Sequence, residues 1–200
     1  DRWNQIDGNM LRLGLNFPIF FYFVEVKLNC HQQFDTAFEA GTVGENRLGL
    51  ISVGGTFDVM HKGHWFLLEE TFNAGEKAIV GITSDEFVAS MKKKHDVESY
   101  ENRLRDVKKF LDERGFLERS IIVPLNDPFG PTIDSDDLEG IVVSEETEVG
   151  AEVINKMRVE RGKKPLLIFV ITMVLADDGK PISSTRVRKQ EVDRHGHLIG

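Results

Sequence analysis

From Leu48 onward, short β-rich runs alternate with longer segments of helical periodicity. This alternation is typical of a parallel sheet whose strands are joined by crossover helices. It predicts an α/β fold, a Rossmann-like open sheet of five parallel strands with helices on both faces. The predicted strands are Leu48–Val53, Lys77–Ile82, Ser120–Leu125, Gly140–Val143 and Leu166–Leu175.

Helix boundaries follow from capping residues and from the spacing of apolar positions. We predict a helix that carries His64 and ends near Gly75, a short helix capped by Asp85, helices over Ser99–Gly115 and Glu146–Arg161, and a terminal helix capped by Ser183 or Ser184. Because 200 residues are too few for two ordinary domains, we expect residues 46–200 to form the one folded domain.

Residues 1–45 do not share this pattern. The apolar run Leu13–Val26 is interrupted by Asn16, Pro18 and Glu25 and is shorter than the roughly 18 residues of a membrane span. As a secretion signal starting at Met10 it would lack a strong basic region and a cleavage pattern. We therefore expect an accessory extension, either an added strand or an amphipathic element on the main domain, or sequence that is non-native or plays no part in the fold.

Charge and cysteine content narrow the class of protein. The chain has 25 Lys and Arg against 33 Asp and Glu, a formal net charge of −8, which argues against a basic nucleic-acid surface. Cys30 is the single cysteine, so an internal disulfide is impossible and a reducing compartment is indicated. We expect a protein of the cytoplasm that binds neither nucleic acid nor a membrane.

The segment Gly54–His64 follows the first predicted strand and has the composition of a phosphate site. In open α/β sheets, ligands bind beyond the carboxyl ends of strands, where the next helix offers free N–H groups to an anion. Gly54, Gly55 and Gly63 allow a ligand close to the backbone. His61 and His64, three residues apart, lie on one side of the first helical turn, so both rings can face one phosphate group.

Two other interpretations of these histidines stay open. His61 and His64, with Asp58 nearby, could bind a metal ion, although helical zinc sites more often use histidines four residues apart. They could also be satisfied structurally at a helix start without any ligand. The sequence shows no residue of a dedicated metal site.

Four motifs, in order along the chain, resemble one family. His61-Lys62-Gly63-His64 is similar to the H-x-G-H motif of nucleotidyltransferases, which class I aminoacyl-tRNA synthetases share, although this chain has no KMSKS-like loop. Within the nucleotidyltransferases, the chain resembles the archaeal and eukaryotic phosphopantetheine adenylyltransferases. The matching segments are GGTFD (54–58), DPFGP (127–131), VVSEET (142–147) and ISSTR (182–186).

The resemblance implies transfer of AMP from ATP to 4′-phosphopantetheine, which gives dephospho-coenzyme A and pyrophosphate in coenzyme A biosynthesis. It implies an enzyme with ATP and 4′-phosphopantetheine as small-molecule substrates, with Mg²⁺ on the ATP, acting as a monomer or homo-oligomer. The alternatives are another nucleotidyltransferase of the same scaffold, such as a glycerol-phosphate cytidylyltransferase or an FAD or NMN adenylyltransferase, or a nucleotide-binding module without catalysis.

The resemblance also implies roles for individual residues. His64 would contact the α-phosphate, Thr56 a reacting phosphate and His61 the β- or γ-phosphate. One of Lys92, Lys93 and Lys94, represented by Lys93, would neutralise the reacting phosphates. The other implied substrate contacts are Gly54, Gly55, Phe57, Asp58 and Gly63 around the phosphates, Arg103 on the acceptor phosphate, Ser144 and Glu145 beside the adenosine, and Ser183, Ser184, Thr185 and Arg186 on the β- and γ-phosphates.

Each of these segments also has an ordinary structural interpretation. The lysine run could be a solvated surface, Arg103 the wet face of its helix, and Thr56 a residue that stabilises a turn. The serines near 183 could be a helix cap, and the acidic residues after Ser144 a capping turn. The DPFGP segment resembles the family's wall for the pantetheine arm.

Overall fold

The computed structural model describes residues 10–16, 21–27, 47–91 and 96–200. Seven strands in these ranges form one sheet in the order β1-β2-β7-β6-β3-β4-β5. The strands are β1 (Met10–Asn16), β2 (Phe21–Lys27), β3 (Leu48–Gly55), β4 (Gly75–Thr83), β5 (Ser120–Leu125), β6 (Gly140–Ser144) and β7 (Leu167–Ile171). The five strands from β3 to β7 pair in parallel, which confirms the predicted Rossmann-like sheet.

Five α-helices accompany the strands in the described ranges: α1 (Lys62–Ala74), α2 (Asp85–Ser90), α3 (Tyr100–Glu113), α4 (Glu148–Glu160) and α5 (Ser184–Arg188). Hydroxyls cap three of them, because Ser84, Ser99 and Ser183 each accept a hydrogen bond from the N–H three residues on. The prediction that Asp85 caps α2 is wrong by one residue. The carboxylate of Asp85 instead accepts from the Tyr100 N–H at 2.8 Å.

Several other predicted boundaries also differ from the structure, and two of these differences have a visible cause. Helix α4 starts at Glu148 rather than Glu146, because the Thr147 N–H donates to the Ser144 carbonyl at 2.9 Å and closes a turn first. Strand β7 ends at Ile171 rather than Leu175, because the chain then leaves the sheet and Leu175 forms an isolated bridge with Pro181.

Apolar side chains cover both faces of the sheet. One core packs α1 and α3 against β3 and β4 and includes Ile51, Val53, Leu68, Phe72, Val80, Val107 and Leu111. The other packs α4 against the opposite face and includes Ile79, Ile141, Val143, Ala151, Ile154 and Ile168. Helices therefore lie on both faces, as the alternating sequence pattern predicts.

Strand order sets the place of the site. From β3, the chain continues to β4 and β5 on one side, and later returns to fill β6 and β7 on the other side. The order reverses between β3 and β6, so a crevice opens beyond their carboxyl ends, where ligands of such folds bind. The segment after β3 and the residues after Ser144 both border this crevice.

The first two strands extend the sheet beyond β7. The backbone of β2 pairs antiparallel with β7, with Val24 opposite Ile171 and Lys27 opposite Ile168, and β1 pairs antiparallel with β2. An added strand was one of the alternatives for this part of the chain, whereas the separation of residues 1–45 from the domain stays a prediction. None of the helices in the described part of the chain is long and apolar enough to cross a bilayer.

We predict that a chain starting at residue 46 still folds, because both apolar cores and all five parallel strands come after that position. Urea unfolding followed by circular dichroism should show one cooperative transition, as for the full chain. A truncated chain without a cooperative transition would show that β1 and β2 are part of the domain.

Candidate active site

The loop that joins β3 to α1 has a constrained backbone. Phe57 and Val59 have φ angles of 52° and 46°, a left-handed conformation that is strained for residues with bulky or β-branched side chains. Both side chains are buried. Surrounding contacts must hold this conformation, so the path of the loop is fixed before any substrate binds.

His61 caps α1 with its ring. The Gly63 N–H donates to Nδ1 of His61 at 3.2 Å, so Nδ1 is the unprotonated nitrogen and the proton of the neutral ring lies on Nε2. Burial lowers the pKa of His61 to about 4, and the neighbouring Asp58 carboxylate offsets only part of that effect. At neutral pH, His61 is therefore an uncharged hydrogen-bond donor through Nε2.

His64 lies beside His61, one helical turn further on. The two rings stack with centroids 3.9 Å apart and planes 24° apart, and Phe57 packs against His64 at 5.4 Å. A Cβ atom on Gly63 would come within 3.1 Å of the His61 ring, which explains why glycine stands between the histidines. The structure thus brings both imidazoles together at the start of α1, as predicted.

The start of α5 reaches this loop from the far end of the sequence. The Ser184 hydroxyl donates to the Asp58 carbonyl at 2.6 Å, while the Ser183 hydroxyl caps the helix and Thr185 is exposed. Two segments more than 120 residues apart in sequence therefore meet beyond the carboxyl end of β3. The start of α5 and the loop before α1 are therefore direct neighbours.

Asp58 and Arg188 form the strongest link between these segments. Asp58 is 2% exposed, and the Arg188 guanidinium donates to both of its carboxylate oxygens, at 2.7 and 2.9 Å. The Glu98 N–H donates to the same carboxylate at 3.0 Å. These bonds raise the pKa of Arg188. Asp58, predicted as a substrate contact, therefore uses its carboxylate inside the protein.

Sequence reasoning missed Arg188 and singled out Arg186 as a contact of the β- and γ-phosphates, which stays a prediction. The Arg186 guanidinium donates to Asp178 at 2.7 Å, to Glu191 at 3.2 Å and to the Pro181 carbonyl at 3.0 Å, so it holds the turn before α5. The spacing of residues along the helix could have indicated Arg188. Arg188 lies four residues after Ser184, on the same side of the helix, whereas Arg186 does not.

Arg103 has a different environment from the predicted one. It is fully buried rather than on a wet helix face, and its guanidinium donates to the carbonyls of Thr56, Thr83 and Glu98 and to the Asp85 carboxylate. These hydrogen bonds are all with the protein, and a contact of Arg103 with the acceptor phosphate stays a prediction. Arg103 anchors the backbone at Thr56 to the end of β4 and the start of α3.

The turn after β6 is tied to β7 and closed by hydroxyl contacts. Glu145 donates its N–H to the Ile171 carbonyl at 3.3 Å, and the Ser144 N–H donates to the Thr147 hydroxyl at 3.2 Å. The Ser144 side chain is half-buried and the Glu145 side chain is exposed. Lys92, Lys93 and Lys94 lie outside the described residues, so the role of Lys93 stays a prediction.

The DPFGP segment closes a cavity on the α4 side of the sheet. Asp127 accepts the N–H groups of Phe129 and Gly130, both at 2.8 Å, and so shapes the loop. The loop covers a cavity of about 50 Å³ whose lining includes Gly54, Gly81, Phe129, Pro131 and Thr132. Gly54 lies at the end of β3, next to the loop that leads to α1, and it also lines this cavity, so the two regions are neighbours at the sheet edge.

In residues 47–91 and 96–200, no group of three or more His, Cys, Asp and Glu side chains is arranged to hold a metal ion.

Comparisons with known proteins agree with this geometry. A family model described as cytidylyltransferase-like matches residues 52–190. A phosphopantetheine adenylyltransferase of Methanothermobacter thermautotrophicus is 44% identical over 155 residues, which cover 78% of this chain and 92% of the relative. One from Methanopyrus kandleri is 46% identical over 147 residues, which cover 74% of this chain and 92% of the relative.

Solved structures show the same fold. A protein of unknown function from Archaeoglobus fulgidus superimposes with a TM-score of 0.55 at 31% identity, over 62% of this chain and 99% of that protein. A tyrosyl-tRNA synthetase from the same organism superimposes with a TM-score of 0.51 at 12% identity, over 72% of this chain and 61% of the synthetase. The second likeness is one of fold alone.

The buried, neutral His61 predicts a specific pH dependence of stability. The pKa of His61 is lower in the folded chain than in the unfolded chain. Its contribution to the free energy of unfolding is therefore present above pH 6.5 and is lost as the pH falls toward 4. Between pH 7 and 5 the wild type should lose about 2 kcal/mol more unfolding free energy than His61→Asn, which still caps the helix but does not titrate.

Urea unfolding at both pH values measures this difference, and His195→Asn, at an exposed histidine, is the matched control. Equal losses in the wild type and in His61→Asn would contradict the burial of a neutral His61.

Proposed function

Because the chain belongs to the cytidylyltransferase-like family and, within it, to the phosphopantetheine adenylyltransferases, we propose that it transfers AMP from ATP to 4′-phosphopantetheine. The products are dephospho-coenzyme A and pyrophosphate. The observation that carries the proposal is the contact of Ser184 with the Asp58 carbonyl, since it brings the start of α5 to the paired imidazoles of α1.

The reaction does not require the protein to form a covalent bond with either substrate. A phosphate oxygen of 4′-phosphopantetheine attacks the α-phosphorus of ATP, the new P–O bond forms, and the bond to the β-phosphate oxygen breaks as pyrophosphate leaves. The nucleophile is already an anion, so no strong base is needed. Catalysis therefore depends on in-line positioning and on stabilising charge at the α-phosphorus.

The paired imidazoles suit this task as hydrogen-bond donors. His64 contacts the α-phosphate oxygens as the transition state forms, and His61 donates from Nε2 to the β- or γ-phosphate. Rings held in place by packing need no reorganisation during the reaction, which makes a donor in such a site effective. Because His61 is uncharged at neutral pH, positive charge must come from elsewhere.

The remaining contacts divide between the two substrates. Thr56 and the glycines around it accommodate the reacting phosphates, with Lys93 as the neutralising cation. The hydroxyls of Ser183, Ser184 and Thr185 lie on the side of the β- and γ-phosphates. Ser144 and Glu145 border the crevice beside the nucleoside, and the cavity under the DPFGP loop accepts part of the pantetheine arm.

Mg²⁺ fits this arrangement as an ion on the ATP phosphates, where it would supply further charge neutralisation. A Mg²⁺ ion on a nucleotide keeps several waters and needs few protein ligands, in keeping with the lack of a ligand cluster in the described ranges. In this proposal the protein acts on small molecules in the cytoplasm and does not bind nucleic acid. It works as a monomer or as a homo-oligomer.

A pyrophosphate-release assay tests the choice of substrates. The chain should release pyrophosphate with ATP and 4′-phosphopantetheine, and much more slowly with CTP or with glycerol 3-phosphate, FMN or nicotinamide mononucleotide as the acceptor. Turnover restricted to CTP or to another acceptor would overturn the substrate assignment. No turnover with any pair would favour a nucleotide-binding module.

The role of His64 is tested by His64→Ala. We expect kcat to fall at least about 100-fold, because a well-aimed donor to the transition state is lost, while the Kd for ATP measured by calorimetry changes only a few-fold. His195→Ala, at an exposed position, serves as the control and should retain its kcat. A normal kcat in His64→Ala would remove His64 from the chemistry.

A further inference from the structure

A buried arginine supports the loop that covers the cavity under the DPFGP segment, here called the acceptor cavity because the proposed function places part of the acceptor in it. Arg158 projects from the last turn of α4 and is 1% exposed. Its Nη1 donates to the carbonyls of Thr132 and Ser135, at 2.5 and 2.9 Å, and its Nε donates to the Lys164 carbonyl at 2.8 Å. The guanidinium thus connects the loop after β5 to the segment before β7.

One of these carbonyls belongs directly to the cavity. Thr132 lines the cavity together with Phe129 and Pro131, and its own N–H and hydroxyl both donate to the Phe129 carbonyl. Arg158 therefore fixes the backbone of a lining residue, and through that residue the position of Phe129. It does so without reaching the cavity, because Arg158 is not among the lining residues.

The helix that carries Arg158 is itself fixed to the sheet. Asn155 exchanges two buried hydrogen bonds with Leu166, one at 2.9 Å to the carbonyl and one at 2.7 Å from the N–H. Ile154 of the same helix lines the cavity floor. The floor and the anchor of the wall thus share one rigid element.

Two surface ion pairs connect the residues that follow α4 to the loop after β5. Arg161 contacts Asp134 and Lys163 contacts Asp136, both at 2.6 Å, but both carboxylates are largely exposed. Exposed pairs contribute little because water and salt screen them. Arg158 differs because its side chain is buried, and its hydrogen bond to the Thr132 carbonyl is buried as well, so loss of that bond leaves a buried polar group without its partner.

We propose that Arg158 is a positioning residue for the acceptor substrate, which acts by holding Thr132 and Phe129 in place as the wall of the acceptor cavity. The inference rests on the proposed function, since it assigns the cavity to 4′-phosphopantetheine. The hydrogen bonds of Arg158 go to Thr132, Ser135 and Lys164 and not to the proposed nucleotide-binding residues of α1 and α5. Loss of the Arg158 hydrogen bonds should therefore weaken acceptor binding and leave ATP binding intact.

The test compares steady-state kinetics of the full-length wild type with Arg158→Lys, which keeps the charge but cannot reach several carbonyls at once. We expect the KM for 4′-phosphopantetheine to rise at least about tenfold, with the KM for ATP within twofold and kcat at saturating acceptor within a few-fold. The double variant Arg161→Gln/Lys163→Gln is the matched control, and both of its KM values should stay within twofold.

A second variant guards against a folding defect. Pro131→Gly loosens the wall without touching the buried guanidinium, and it should show the same selective rise in the acceptor KM. An unchanged acceptor KM in a folded Arg158→Lys protein, an equal rise in both KM values, or an unchanged acceptor KM in Pro131→Gly would each overturn the inference. Failure of the wild type to use 4′-phosphopantetheine would instead refute the proposed function.

Discussion

The ion pair between the buried Asp58 carboxylate and the partly exposed Arg188 guanidinium is the interaction on which the candidate site depends. Placing a carboxylate in the interior costs several kcal/mol unless a partner compensates it, and here a guanidinium binds both oxygens. The pair holds α5 against the loop after β3. It also stabilises a loop in which Phe57 and Val59 adopt left-handed backbone angles. Without that loop conformation, the positions of His61 and His64 at the start of α1 would not be fixed.

The electrostatics of the site follow from the same burial. Desolvation lowers the pKa of His61 to about 4 and keeps its ring uncharged, while the Arg188 guanidinium pairs with the Asp58 carboxylate. The Asp58 carboxylate is therefore paired within the protein. In the proposed reaction, the imidazoles act as directional donors, and mobile cations and lysine side chains compensate the charge of the triphosphate.

Much of the fold could be predicted because its determinants are local. The strand Ser120–Leu125 is found at its predicted bounds, and Ser183 caps the last helix as expected. What failed was the environment of charged residues. Arg103 was considered as a contact of the acceptor phosphate or as the wet face of its helix, and it is buried. Arg188 was overlooked. Thr56, one partner of Arg103, and Asp58, the partner of Arg188, lie 47 and 130 residues away from them in sequence. No local pattern reports whether a distant carboxylate or carbonyl will meet a guanidinium.

The central claim is that two distant segments of the chain hold one triphosphate. A crystal structure of the full chain with a non-hydrolysable ATP analogue tests it most directly. The account predicts phosphate oxygens within hydrogen-bonding distance of both a ring nitrogen of His61 or His64 and a donor of Ser183, Ser184 or Thr185. A triphosphate that contacts only one of these segments, or that lies elsewhere on the protein, would contradict it.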